Sequence, residues 1–194
     1  MRRGTIKNLM RIYIRHAEKE HVNGSEGAEH PFDPSLTEEG MEKCSEVADE
    51  LYKTFGMPTL IIVSPFLRTR QTATVIRSRL LQLSGQEVQM VCENKVGEYL
   101  GNHRITDKNK AFTYKTRIYK PRVETCMSHF DIRVKKHNDE MGSLDGEDFN
   151  FWIITHGLVI KKISKFNGCY FPGYPNFLSG LVIGDKITTF GNWK

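Results

Sequence analysis

Hydrophobic positions along the chain follow two periods. Leu9–Arg15 reads Leu-Met-Arg-Ile-Tyr-Ile-Arg, an apolar, β-branched and aromatic run that stops at Arg15-His16. This is the pattern of a buried strand that delivers a cation and an imidazole to its carboxyl end. A polar loop over 17–35 follows. From 37 to 55 the period becomes helical, with Met41, Cys44, Val47, Ala48, Leu51 and Phe55 on one stripe. Thr37 suits the N-cap, Glu38 and Glu39 complement the helix dipole, and Gly56 and Pro58 end the helix. Thr59–Ser64 reads as a second buried strand. Pro65 then turns the chain into a helix over roughly 67–83, with Ala73, Ile76, Leu80 and Leu83 facing inward and Gly85 at its end.

Val88–Cys92 is a third strand. Residues 93–120 are rich in Lys, Arg, Asn and Gly, and read as a flap or lid crossing the sheet edge. A helix over 121–141 presents Val123, Met127, Phe130 and Val134 on one face. Phe151–Thr155 is a fourth strand and Gly157–Asn167 the helix after it. Leu181–Ile183, Gly184-Asp185 and Lys186–Phe190 form a terminal hairpin. Strand and helix patterns thus alternate, which predicts a three-layer α/β/α sandwich around a mostly parallel sheet. Residues 1–194 read as one domain carrying that flap, behind a basic leader at 1–8.

Charge changes this picture little. The chain has 28 basic and 23 acidic residues, net +5. That favours anionic partners but is far below the basic density of a dedicated nucleic-acid binder. Cys44, Cys92, Cys126 and Cys169 form no Cys-x-x-Cys pair, so zinc and redox chemistry have no support. Without a signal-like h-region or a bilayer-length apolar run, a reduced cytoplasmic protein is expected.

Three predicted strands end in polar or cationic groups: Arg15-His16, Ser64-Pro65 with Arg68 one turn later, and Thr155-His156-Gly157. Each alone reads as well as a solvated rim or a satisfied core residue. In a parallel sheet the three ends share one edge, where ligands of open α/β sheets bind. Two imidazoles, two guanidiniums and helix N-termini converging there make a site for a phosphoryl group.

These residues carry a resemblance that spans roughly 9–184, to the histidine phosphatase superfamily of phosphoglycerate mutase-like proteins. Arg15-His16-Ala17-Glu18 resembles the family's Arg-His-Gly signature, with Ala in place of Gly. Leu36-Thr37-Glu38-Glu39-Gly40 resembles its Leu-Thr-x-x-Gly helix start. Ser64-Pro-Phe-Leu-Arg68-Thr-Arg-Gln71-Thr72-Ala73 matches Ser-Pro-x-x-Arg-x-x-Gln-Thr-Ala at every fixed position. Glu98-Tyr-Leu-Gly101 resembles the segment that carries the acid. Glu124 to Arg133-Val134 resembles a helix with a Phe-x-x-Arg-Val core, with Thr125 replacing Ser, and Thr155-His156-Gly157 matches the second histidine motif.

The resemblance implies a phosphoglycerate mutase-like fold and a phosphatase that works through a phosphohistidine. His16 would be the nucleophile, Arg15, Arg68 and His156 the phosphate-binding and charge-stabilising groups, and Glu98 the general acid and then base. Glu93 and Glu18 are alternatives to Glu98. Thr155 and the Gly157 amide are candidate phosphate neighbours, Gln71 and Thr72 read as capping or packing residues, and Asn23 stands one position off a family Asn. No metal or cofactor is implied. His16 and His21 are five apart, not the four that puts two ligands on one helix face. The substrate would be a phosphorylated small molecule or a phosphoprotein; nucleic acid and membrane are not expected, and the oligomeric state stays open.

Two other readings compete. One is a mutase, disfavoured because the chain stops at Trp193-Lys194, a few residues after its last strand. The other is a non-catalytic phosphate- or nucleic-acid-binding module, built on the basic, aromatic-interleaved stretch 103–122.

Overall fold

Alternate residues of the central strands enter two different cores. In β1 (Leu9–Arg15), Ile12 and Ile14 face one side and Tyr13 the other. In β4 (Phe149–Thr155), Trp152 and Ile154 join the first core, Phe151 and Ile153 the second. A strand covered on both faces must be apolar in both phases of its period-two pattern, which is why these runs look continuous in sequence. Helices α1 (Glu38–Phe55) and α2 (Leu67–Ser84) close the first core with Cys44, Ala48, Leu51, Ala73, Ile76 and Leu80. Helices α3 (Met127–Gly142) and α4 (Gly157–Phe166) close the second with Phe130, Val134, Val159, Ile160 and Ile163. Full burial of each Leu, Ile, Val or Phe side chain among these stabilises the fold by about 1.5–3 kcal/mol.

This computed structural model describes residues 9–20, 33–99, 127–144 and 149–194. Together with β2 (Leu60–Val63), β3 (Gln89–Cys92), β5 (Gly180–Ile183) and β6 (Ile187–Phe190), the strands form one six-stranded sheet in the order β3-β2-β4-β1-β5-β6. The first four in that row are parallel; β5 and β6 run antiparallel as the expected hairpin. The fold is therefore the mostly parallel α/β/α sandwich. After β1 the chain leaves to the α1 face, and after the adjacent β4 it leaves to the α4 face. The carboxyl ends of these neighbours thus open a crevice.

Several boundaries differ from the sequence pattern. β4 begins at Phe149, because all seven of its residues pair with β1, from Leu9↔Phe149 to Arg15↔Thr155. Polar Asn150 hid this; its amide donates to the carbonyls of Phe55 (2.9 Å) and Met57 (3.2 Å), closing the end of α1. Thr37 caps α1 as expected, accepting from the Gly40 amide at 3.0 Å. Met41, Leu83 and Met127 were placed on inner stripes but are exposed. All three lie in terminal turns. An 18-residue helix runs about 27 Å, while a four-residue strand covers about 13 Å, so helix ends overhang the sheet.

Of the flap at 93–120, only 93–99 belong to the described residues, and there they form a short 3-10 turn, Asn94–Val96, folded against α3. The basic stretch 103–122 lies outside the described residues, as do the leader, His21, Asn23, Gly101, Val123, Glu124, Thr125 and Cys126. Among the described residues no helix is long and apolar enough to cross a membrane.

Candidate active site

Register assembles the site. Arg15 pairs with Thr155 and Val63 with Ile154, so His16, Ser64 and His156 each follow directly on three adjacent strands. Main-chain bonds extend the sheet by one step: the His16 amide donates to Thr155 O and the Ser64 amide to Ile154 O, both at 3.0 Å. The two imidazole rings stand edge-on, with centroids 5.3 Å apart.

His16 is buried, and its Nδ1 lies 2.8 Å from the Ala17 carbonyl oxygen. A carbonyl can only accept, so Nδ1 carries the proton and the lone pair sits on Nε2. Burial, and then Arg68, Arg15 and Lys19, hold the ring well below the usual histidine range, against the pull of the Ala17 bond. His16 is thus a neutral imidazole whose Nε2 makes no hydrogen bond among the described residues. His156 is fully buried and also held well below the usual range, by burial first and then Arg68 and His16. Its Nε2 lies 2.8 Å from Ser64 Oγ and its Nδ1 3.5 Å from Glu98 Oε2. Nδ1 is buried and makes no hydrogen bond among the described residues.

Two guanidiniums flank the rings. Arg15 donates from Nη1 to Pro175 O at 2.7 Å, and its guanidinium carbon lies 4.3 Å from the Phe177 ring centroid and 5.2 Å from that of Tyr174. Its Nε is buried with no hydrogen-bond partner among the described residues. Arg68, buried at the start of α2, is bracketed by two carboxylates: Nη1 donates to Asp33 Oδ1 at 3.1 Å and Nη2 to Glu98 Oε2. The Phe177 ring also stands 5.6 Å from His16, and Phe66 covers Arg68 at 4.6 Å.

The three candidate acids separate clearly. Glu93 accepts from the Lys95 amide at 2.8 Å and so caps the 3-10 turn. Glu18 turns to the Thr37 hydroxyl, 3.4 Å away at the start of α1. Glu98 alone of the three reaches both Arg68 and His156.

Several supporting residues were not assigned to the site from sequence. Arg133 donates to the carbonyls of Asn94 (2.7 Å), Lys95 (2.8 Å) and Gly97 (3.1 Å), so α3 holds the turn that presents Glu98. Its Phe-x-x-Arg-Val context was visible, but its partners were not. The Tyr174 hydroxyl takes the Leu158 amide, and a Cβ at Gly157 would run into the Tyr174 ring. Gly157 therefore lets that ring reach Arg15. Leu178 has φ of +57°, a conformation that costs an L-residue free energy. The backbone turns there, between the Phe177 ring on Arg15 and Leu178 in the core. Residues 174 and 176 pair with 194 and 192, which fixes the segment whose Pro175 carbonyl holds Arg15.

Other motif residues are spent on structure. The Thr155 hydroxyl, a candidate phosphate neighbour, donates to Val96 O at 2.6 Å. Gln71 accepts from the Leu36 amide at 2.9 Å, and Thr72 accepts from the Ala17 amide at 3.0 Å, so both lock the loop after His16 onto α2. Among the described residues no group of three or more His, Cys, Asp or Glu is placed to hold a metal ion. The arrangement offers a neutral nucleophilic imidazole, two fixed cations, a second imidazole and one carboxylate around a single point.

Comparison with known proteins bears on the fold and the family. No curated protein matches the chain significantly by sequence. Among solved structures, the ecdysone phosphate phosphatase of the silkworm Bombyx mori, in complex with tungstate, is similar with a TM-score of 0.63 at 15% identity, over 94% of this chain and 92% of that one. The mycobacterial glucosyl-3-phosphoglycerate phosphatase is similar with a TM-score of 0.58 at 18% identity, over 91% and 90%. At these identities the likeness establishes the fold. The family model of the histidine phosphatase superfamily (branch 1) matches residues 12–169, from within β1 to just beyond α4. With His16, Arg68 and His156 inside that match and the phosphoglycerate mutase-like fold around them, the chain belongs to the histidine phosphatase superfamily.

Proposed function

We propose that the chain is a metal-independent phosphatase that hydrolyses a phosphomonoester through a phosphohistidine on His16. The observation that carries this reading is the state of His16: buried, neutral, with Nδ1 fixed on the Ala17 carbonyl and Nε2 free beside two guanidiniums. Nε2 attacks phosphorus in line as the bond to the ester oxygen breaks. Arg15, Arg68 and His156 hold the equatorial oxygens and stabilise the charge of a loose transition state. The phosphate monoanion takes over the Arg68 edge that Glu98 holds, its proton passes to the freed Glu98 carboxylate, and Glu98 delivers that proton to the leaving oxygen. Glu98 then removes a proton from water, the N–P bond breaks, and inorganic phosphate leaves. The relatives named above are phosphatases of phosphorylated small molecules, and the proposed substrate is of that class or a phosphoprotein. A cytoplasmic location accords with the cysteine usage.

The direct test is rapid quenching of turnover with a labelled aryl phosphate. Label is expected on His16 in an acid-labile, base-stable bond; label on serine or cysteine would refute the mechanism. A mutase would return the phosphoryl group to an added alcohol rather than to water, so product analysis separates that reading. Glu98→Gln tests the acid. It is expected to slow alkyl phosphates by about 10²–10³-fold and aryl phosphates less than tenfold, because a good leaving group needs little protonation. Equal losses on both would mean that another group is the acid.

A further inference from the structure

Asp33 has no part in the mechanism above, yet it is among the most buried charged groups of the molecule, at 2% exposure. It comes from the loop between β1 and α1 and reaches the first turn of α2. Both its oxygens accept from the Leu67 amide, at 2.8 and 3.0 Å, and Oδ1 also accepts from Arg68 Nη1 at 3.1 Å. Helix α2 needs this help. Its N-cap position is Phe66, which has no side chain to accept the first free amides. Asp33 supplies that cap from 34 residues away and, with the same oxygen, holds the guanidinium one residue further on.

The second oxygen-to-cation contact of Arg68 differs in kind. Glu98 is 28% exposed and holds Nη2 on the side facing His156. Arg68 is therefore tied to Asp33 through Nη1 and to Glu98 through Nη2. A guanidinium is planar, so fixing Nη1 fixes the plane in which Nη2 points. Without an anchor, the side chain has several rotamers, and holding it only on substrate binding would cost affinity.

Resting on the phosphatase reading, we infer that Asp33 is the positioning residue of the phosphate clamp: it caps α2 and aims Arg68 Nη2 at the phosphoryl oxygens while never touching substrate itself. The motif run Ser64–Ala73 thereby depends on a residue outside it, and the loop after His16 contributes to phosphate binding through Asp33.

The test compares wild type, Asp33→Asn, Arg68→Ala and the double variant at about pH 8, above the value of about 7 to which burial raises Asp33, so that its carboxylate is ionised; it uses calorimetric binding of orthovanadate and steady-state hydrolysis of an aryl phosphate. Asn keeps the volume and a capping oxygen, so the fold is expected to survive, while the charge-assisted hold on Arg68 is lost. Asp33→Asn is expected to weaken vanadate binding and raise KM by about tenfold, with kcat within about threefold. In the Arg68→Ala background the same substitution is expected to change vanadate affinity by less than about twofold, because its target is gone. Unchanged vanadate affinity in Asp33→Asn, or the same loss in both backgrounds, would overturn the inference. Failure of the wild type to bind vanadate at all would instead overturn the phosphatase reading.

Discussion

His16→Ala is expected to lower turnover of an aryl phosphate by about 10⁴-fold or more while leaving the folded structure intact. The size follows from the absence of a substitute at that point among the described residues. His156 is the nearest imidazole, but its Nε2 is engaged by Ser64 and its Nδ1 faces Glu98. Glu98 is itself held by Arg68, and Asp33 is sealed behind α2. The fold should tolerate the change, since His16 makes one side-chain hydrogen bond, to the adjacent residue, and its main-chain bond to Thr155 does not depend on the side chain. Vanadate should still bind, through Arg15 and Arg68. Activity retained within tenfold of wild type would remove His16 from the nucleophile's role, whatever the family.

The parts of this site that are legible in sequence are those that lie on regular elements and repeat a local pattern. The run before His16 could only be a strand buried on both faces, and once three such strands were parallel, His16, Ser64 and His156 had to share an edge. The helix after Ser64 was legible from Ala73, Ile76 and Leu80 because helical spacing recurs every few residues.

What stayed hidden acts across long separations with no periodicity. Pro175 O holds Arg15 from 160 residues away, and Arg133 secures the Glu98 turn from nearly 40. Asp33 sat in a stretch that read only as polar loop, where an Asp is unremarkable until its burial is known. The resemblance favours Glu98 as the acid and leaves Glu18 and Glu93 as alternatives; only the 3-10 turn and the start of α1 show those two engaged elsewhere. The inner-stripe assignments of Met41, Leu83 and Met127 failed for a related reason. Helical period says which side a residue is on, and the length of the covering sheet decides whether that side is buried.

The same burial that makes His16 reactive should make the protein sensitive to acid. His16, His156 and His137 are all at most 3% exposed, and all are held below the ordinary histidine value. For His137 burial lowers it to about 4. A histidine whose folded value is depressed takes up its proton only on unfolding, so its contribution to stability is full above about pH 6.5 and is lost as pH falls toward the folded value. Asp33 works the other way: burial pushes it up to about 7, against Arg68 and the Leu67 amide, so over the same window unfolding releases its proton. Three histidines binding a proton against one carboxyl losing it leave a net uptake of two. Between about pH 6 and pH 4.5 the unfolding free energy should therefore fall as pH falls. Urea unfolding at several pH values measures the slope directly. Asp33→Asn removes the opposing proton and should steepen it. A flat profile in the wild type would mean that the buried imidazoles already carry charge in the folded protein, and a charged His16 could not attack phosphorus.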